Sequence, residues 1–200
     1  MKRKKLIPII SLMVIGALFL LGCSGEMLTA PGEEHSNQIA VAEQQGVPFD
    51  QLNLVSWKPE LVSQLQVLNK KAQRPYERKK IRANRGGTVG GGKTYGNKVD
   101  IPRRALSEDT WISVEVLCVD SKGECIPVVE FLPNMNFLLN VTLTLSYDVL
   151  EFSGDPNLLK VYWYDSSTGL WVEAQDPVLN EADMTVSVQV DHFTQYGWSL

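Results

Sequence analysis

Histidine and cysteine are scarce in this sequence, and the few that occur exclude several kinds of site. The two histidines, His35 and His192, stand far apart, and neither belongs to a cluster with the spacing of metal ligands. The acidic residues are scattered without the D-x-D-x-D spacing of a calcium loop, and no pair of catalytic carboxylates can be assigned. We therefore expect no metal ion, no cofactor, no small-molecule substrate and no enzyme that turns over a separate substrate.

Charge is absent from residues 6–21, which follow four basic residues at positions 2–5. Such a start is typical of a secretory signal, and the apolar run is too short to cross a bilayer comfortably. It ends in Leu20-Leu21-Gly22-Cys23, which resembles the lipobox of bacterial lipoproteins, although Leu21 is bulkier than usual. The resemblance implies a signal peptide over residues 1–22, lipid on Cys23 and a membrane-anchored protein of the cell envelope. The alternative is an ordinary signal peptide with an incidental cysteine. Ser24 favours the outer membrane if the organism is Gram-negative.

The rest of the chain divides by composition and charge. Without residues 1–22 it has fifteen basic and twenty-three acidic residues, a formal charge of −8. Residues 86–200 carry a net charge of −10, whereas residues 70–85 carry +7. Residues 24–49 are rich in Gly, Glu, Gln, Asn and Ser and have few large apolar side chains, and we predict a flexible, mostly disordered tether over residues 23–85. Within it, Pro59 and the spacing of the leucines predict a short amphipathic helix over residues 59–73.

The basic strip over residues 70–85 has two interpretations. It suits a binder of anionic lipid headgroups, of an anionic envelope polymer or of nucleic acid, and nucleic acid is the weakest of these because an exported protein rarely meets it. The other interpretation, which we favour, is a solvated linker. The strip consists of Lys70, Lys71, Arg74, Arg78, Lys79, Lys80, Arg82 and Arg85.

Cys118 and Cys125 remain for pairing once Cys23 is assigned to lipid. Residues 120–123 indicate a turn, and a hairpin folded there would set Cys118 directly opposite Cys125 on two neighbouring strands. Because an exported protein meets an oxidising compartment, we predict a disulfide rather than two free thiols.

One segment matches a nucleotide-binding motif in sequence, but its neighbouring residues do not fit that motif. Residues 87–94 match the P-loop pattern G-x-x-x-x-G-K-[ST]. A P-loop follows a buried apolar strand and opens a helix, whereas a basic stretch precedes this segment and Tyr95-Gly96-Asn97 follows it. We predict no nucleotide site here and a hairpin turn between short strands instead.

Apolar residues alternate with polar ones from residue 98 onward, which is typical of strands with one buried face. Turn residues interrupt the pattern at Gly154, at Gly169 and at Pro177. Seven to nine short strands without a convincing helix predict one all-β domain over residues 86–200, an antiparallel β-sandwich. One clear example of the alternation is the series Leu139, Val141, Leu143, Leu145 and Tyr147.

Several segments of residues 86–200 resemble the ZU-five domain, the β-sandwich of ankyrins and netrin receptors. They are Gly86-Gly87-Thr88-Val89, Val99-Asp100-Ile101-Pro102, Asp109-Thr110-Trp111-Ile112, Leu159-Lys160-Val161-Tyr162-Trp163-Tyr164 and Asp191-His192-Phe193-Thr194-Gln195-Tyr196. The resemblance implies a non-enzymatic binding or structural module, with an envelope protein as one kind of partner.

The resemblance also implies an alternative for the end of the chain. A few relatives cleave themselves at His-Phe-Ser, and this chain has His192-Phe193-Thr194. In that hypothesis the Thr194 hydroxyl attacks the Phe193 carbonyl while His192 assists proton transfer. We favour the other interpretation, in which Phe193 packs in the core. Trp111, Trp163, Trp171 and Trp198 could line a carbohydrate groove, but we expect them to pack in the core or at its edge.

Overall fold

The computed structural model describes residues 45–70 and 74–200, and the lipidation candidate Cys23 lies outside them. The described chain forms two antiparallel sheets that pack face to face, which confirms the predicted all-β sandwich. The strands are β1 (Tyr76–Ile81), β2 (Gly87–Gly90), β3 (Lys98–Ile101), β4 (Thr110–Ser121), β5 (Glu124–Leu132), β6 (Asn136–Ser146), β7 (Lys160–Asp165), β8 (Leu170–Glu173), β9 (Val178–Asn180), β10 (Thr185–His192) and β11 (Gln195–Ser199). In the part of the chain that the structure describes, one α-helix, α1 (Pro59–Lys70), precedes them.

Six strands form one sheet in the order β1-β4-β5-β11-β7-β8, and five form the other in the order β2-β3-β6-β10-β9. The inner faces meet in a single core, because alternate residues of each strand point between the sheets. Val114, Phe131 and Tyr196 fill it from the six-stranded sheet, and Val99 and Leu143 fill it from the five-stranded sheet.

The structure corrects the predicted domain boundary at residue 86. Val47 and Leu54 form bridges to Trp171 and Ser199, and Trp57, which forms a third bridge to Leu150, is 1% exposed. Within the strip, residues 76–81 form the edge strand β1 along the whole first part of β4. The described part of the predicted tether is therefore built into the sandwich.

Helix α1 begins at Pro59, as the sequence predicts, and its bounds in the structure are Pro59–Lys70. Residues 71–73, which the prediction included, lie outside the described part. Leu65 is 1% exposed and joins the core, with Leu61 and Val62 packed against it. The helix therefore docks on the sandwich through this apolar face.

Strand β6 departs from the predicted alternation at its start. Val190 of β10 pairs with Val141, but His192 pairs with Asn136, so the register shifts between the two pairs. The intervening residues of β6 bulge outward, and Leu138 and Leu139 are 68% and 51% exposed. Leu139 therefore leaves the buried face that Val141, Leu143 and Leu145 share.

Candidate functional site

The self-cleavage candidate lies where the chain passes from one sheet to the other. β10 ends at His192 in the five-stranded sheet, and β11 begins at Gln195 in the six-stranded sheet. Phe193 and Thr194 form the connection between them. Their backbone is held on both sides, because Phe193 N donates to Met135 O at 3.0 Å and Phe131 N donates to Thr194 O at 3.2 Å.

Phe193 is an anchor of the core. It is 2% exposed, and its ring centroid lies 5.5 Å from that of Phe131 and 4.6 Å from that of Phe137. These are ordinary separations for packed aromatic pairs. The environment therefore matches the interpretation of Phe193 as a core residue.

Thr194 and His192 do not form a nucleophile–base pair. The Thr194 hydroxyl is buried and donates to the carbonyl oxygen of Tyr164 at 2.6 Å. His192 Nδ1 lies 2.7 Å from Asp191 Oδ1, and the described residues show no hydrogen bond between His192 and Thr194. The hydrogen bond with His192 is the main cause that lowers the pKa of the Asp191 carboxyl. In this arrangement neither group is hydrogen-bonded as the attack requires, because the Thr194 hydroxyl is bound to Tyr164 O and the His192 ring to Asp191.

Two clefts flank the ring of Trp163, which meets the His192 ring edge-on at 4.7 Å between centroids. One, of about 290 Å³, is lined by Asn134, Asn136 and Ser166 among others. The second, of about 250 Å³, is bordered by Asn140 and Gln189. Both clefts are lined by His192, Trp163 and several amide or hydroxyl side chains, and each also contains one carboxylate, Asp165 in the first and Asp191 in the second. The amide and hydroxyl groups can form hydrogen bonds to a ligand.

The P-loop-like segment forms a hairpin, as the sequence predicts. β2 and β3 pair from Gly87 with Ile101 to Gly90 with Lys98. Thr94, the residue at the position of the magnesium-binding threonine, is fully buried, and its hydroxyl contacts Gly91 and Asn97 within the turn. Gly90 has φ of +98°, and a Cβ there would lie 2.3 Å from Asn97 O. The absence of a side chain at Gly90 therefore allows its backbone to lie close to that of Asn97.

Cys118 and Cys125 are joined in a disulfide across the β4–β5 hairpin. The prediction that they stand directly opposite one another is wrong, because Cys118 pairs with Pro127 and Asp120 pairs with Cys125. The turn is shorter than predicted and consists of Lys122 and Gly123, both with positive φ. The two cysteines are diagonal neighbours on the core-facing side, with their Cα atoms 5.0 Å apart.

A positively charged surface extends from β1 to the neighbouring turns. On the outer face of β1, Arg78 and Lys80 stand beside Ser113 and Trp111 of β4, and the Arg78 guanidinium lies 4.9 Å from the centre of the Trp111 ring. Arg104 N donates to Ala83 O at 2.7 Å, which places the β3–β4 loop beside the turn after β1. We call this surface the basic face; its members are Arg74, Tyr76, Arg78, Lys80, Arg82, Arg85, Arg103, Arg104 and Trp111.

The sequence missed Arg103, Arg104 and Trp111 as members of this surface. They belong to the acidic region of the chain, where the net charge of −10 conceals them. The pairing of β1 with β4 brings Trp111 to the strip, and the bond from Arg104 N to Ala83 O brings the two arginines there. The sequence held no signal for this surface, because neither the exposure of Trp111 nor its position beside β1 follows from a local pattern.

Across residues 45–70 and 74–200 no helix is long and apolar enough to span a membrane. The same residues contain no group of three or more histidine, cysteine or acidic side chains placed to hold a metal ion. Comparison of the chain with models of known protein families and with curated proteins finds no match. The function must therefore be argued from the chain itself.

Proposed function

We propose that this protein is a bacterial lipoprotein that carries a ZU-five-like β-sandwich as a non-enzymatic binding or structural module. In this proposal the chain is exported, cut before Cys23 and anchored to the cell envelope by lipid on that cysteine. In a Gram-negative organism the anchor lies in the outer membrane, since Ser24 follows the cysteine.

The observation that carries the proposal is the order of elements at the N-terminus: a basic start, an uncharged run and Leu20-Leu21-Gly22-Cys23. The compact unit begins near residue 42, so about twenty residues separate it from Cys23. A chain of that length spans at most about 70 Å when fully extended. This is enough length to hold a folded module next to a membrane surface.

The connection between β10 and β11 at residues 192–194, which we call the corner, has contacts that support a module without catalytic turnover. The Thr194 hydroxyl is buried against β7, and the His192 ring is hydrogen-bonded to Asp191. Self-processing between Phe193 and Thr194 is the alternative function, and it would require the Thr194 hydroxyl to leave Tyr164 O and the His192 ring to leave Asp191. The two clefts beside Trp163 offer polar groups for a ligand without this rearrangement.

The anchor is tested by Cys23→Ser, with Ser24→Ala as the matched control. We expect both Ser24→Ala and the natural chain to fractionate with membranes after a high-salt wash. Cys23→Ser should give a soluble or unprocessed chain, because it removes the thiol that receives the lipid. The high-salt wash matters because the basic face can hold the protein to a membrane by charge alone. Normal cleavage of Cys23→Ser together with membrane retention after the wash would contradict the proposal.

A further inference from the structure

The basic face concentrates positive charge that the protein does not neutralise. Arg74 pairs with Glu115 at 3.2 Å, and Asp109 accepts a hydrogen bond from the backbone of Ala83. Five further cations are exposed and make no side-chain ion pair, hydrogen bond or ring contact among the described residues: Lys80, Arg82, Arg85, Arg103 and Arg104. Because the sandwich is acidic elsewhere, this surface is a distinct region of opposite sign.

Two large aromatic side chains are exposed within the same surface. Trp111 is 52% exposed and Tyr76 is 44% exposed, although the other tryptophans of the described chain are buried or half-buried. Pairing places Tyr76 opposite Glu115 and Lys80 opposite Trp111, so both aromatic rings lie on the outer side of the sheet with Arg78 between them. Aromatic rings flanked by arginine and lysine are typical of protein surfaces that meet the headgroup region of a bilayer.

We propose that the basic face binds directly to an anionic phospholipid surface, so that the sandwich lies against the membrane that holds its anchor. The phosphates attract the arginine and lysine side chains, while Trp111 and Tyr76 enter the headgroup region. This inference rests on the proposed function for the anchor, which keeps the module close to the bilayer. A tether of this kind raises the effective concentration of the surface, so a weak contact is sufficient.

The topology permits both attachments at once. Val47 forms a bridge to Trp171 of β8. Strand β8 is one edge of the six-stranded sheet, and β1 is the other edge. Five strand spacings of about 4.8 Å separate the two edges by about 24 Å. The residues between Cys23 and Val47 can extend to at most about 80 Å. The chain is therefore long enough for Cys23 to enter the bilayer while β1 lies on it.

The exposed aromatics favour a bilayer over an anionic polymer as the partner. A polyanion would satisfy the five unpaired cations, and a sugar ring could stack on Trp111, whereas a bilayer interface takes up both Trp111 and Tyr76. A bilayer surface provides both phosphates and an interface for amphipathic rings. Binding to a polymer is therefore the main competing outcome of the test.

The test uses the mature chain, residues 23–200, with Cys23→Ser so that no lipid contributes. Its sedimentation is measured with vesicles of phosphatidylcholine alone and of phosphatidylcholine with phosphatidylglycerol. We expect binding only to the anionic vesicles, weaker at high salt and accompanied by a blue shift of tryptophan fluorescence that Trp111→Ala removes. The double variant Lys80→Glu, Arg82→Glu should bind about tenfold more weakly or worse. The matched control, Lys58→Glu with Lys122→Glu, changes the net charge equally outside the basic face and should bind like the parent.

Equal loss in the two double variants would overturn the inference, because the effect would then come from net charge alone. No binding to anionic vesicles at low salt would also overturn it, as would binding to an anionic polysaccharide in preference to the vesicles. These results are independent of the anchor, since every chain in this test lacks the Cys23 thiol. Failure of the lipid anchor would appear only in the fractionation of Cys23→Ser in cells.

Discussion

Thr194 illustrates how a residue with reactive chemistry becomes a structural one. Its hydroxyl is buried and donates to Tyr164 O, so it ties the sheet crossover to β7. Next to it, Tyr196 donates to His192 O at 3.2 Å, and burial raises the pKa of the Tyr196 hydroxyl above its usual range. Both hydroxyls therefore remain protonated donors that hold the corner, and we interpret the corner as a packing feature.

Thr194→Val tests this interpretation because it keeps the shape and removes the hydroxyl. The variant should lose about 1–3 kcal/mol of the free energy of unfolding, since Tyr164 O is left without this donor. Thr185→Val, at a half-buried threonine of β10 with no side-chain hydrogen bond among the described residues, should change it by less than about 0.5 kcal/mol. Urea denaturation of both variants and the parent gives the comparison.

The same samples decide the self-processing alternative. The mass of the parent should include Leu200, as measured after denaturation. Denaturation is necessary because β11 is hydrogen-bonded between β5 and β7, and a cleaved segment starting at Thr194 would remain bound in the native protein. Loss of that segment in the parent, abolished by Thr194→Ala but not by protease inhibitors, would replace our interpretation.

At the scale of elements, the β4–β5 hairpin shows what the sequence could and could not predict. The two strands and the pairing of Cys118 with Cys125 follow from alternation and from the small number of cysteines. The register of the two strands does not follow from these features, because it depends on whether Lys122 adopts a positive φ of 54° in a two-residue turn. A shift of this size moved the cysteines from direct to diagonal neighbours without moving either to the other face, since the pairing changed by two residues.

The hairpin gives a redox prediction. Because the cysteines are close and the protein is proposed to be exported, we expect no alkylatable thiol at Cys118 or Cys125 in unreduced, unfolded protein from the envelope. The bridge closes a short loop, so the Cys118→Ala, Cys125→Ala double variant should lose about 2 kcal/mol on the chain-entropy account. Mass spectrometry after alkylation checks the first point and urea denaturation the second. Two alkylated cysteines in the parent would refute the bridge.

Strand β1 explains why the boundary at residue 86 could not be read from the pattern. Its sequence, Tyr76 to Ile81, has a single strongly buried side chain, Ile81, and the others are charged or exposed. An edge strand has one free side and commonly carries charges, which protect it from pairing with other chains. Its composition therefore matches that of a linker, and only its partner β4 distinguishes the two.

For the whole molecule, the segment before β1 completes the sandwich. Val55 N donates to Trp198 O, Leu200 N donates to Asn53 O, and Lys58 N donates to Val149 O. These bonds connect the start of the described chain with its end and with the loop after β6, so their partners are far apart in sequence. A local pattern of alternating residues does not indicate such contacts, whereas the alternation in β4, and in β6 from Val141 to Leu145, is local and was predicted correctly.

The final prediction tests whether residues 45–85 belong to the folding unit. A chain that begins at residue 86 loses Trp57, Leu65 and Ile81, each 1% exposed, and leaves β4 as an unpaired edge. Truncating one large core side chain typically costs about 2–5 kcal/mol, and a domain of this size is stable by about 5–15 kcal/mol. We therefore expect this chain to lack a cooperative urea transition in near-ultraviolet circular dichroism. The control chain, which begins at residue 42 and retains the whole compact unit, should unfold cooperatively. If both chains unfold with the same midpoint and slope, residues 45–85 contribute nothing to the core and the boundary at residue 86 is restored.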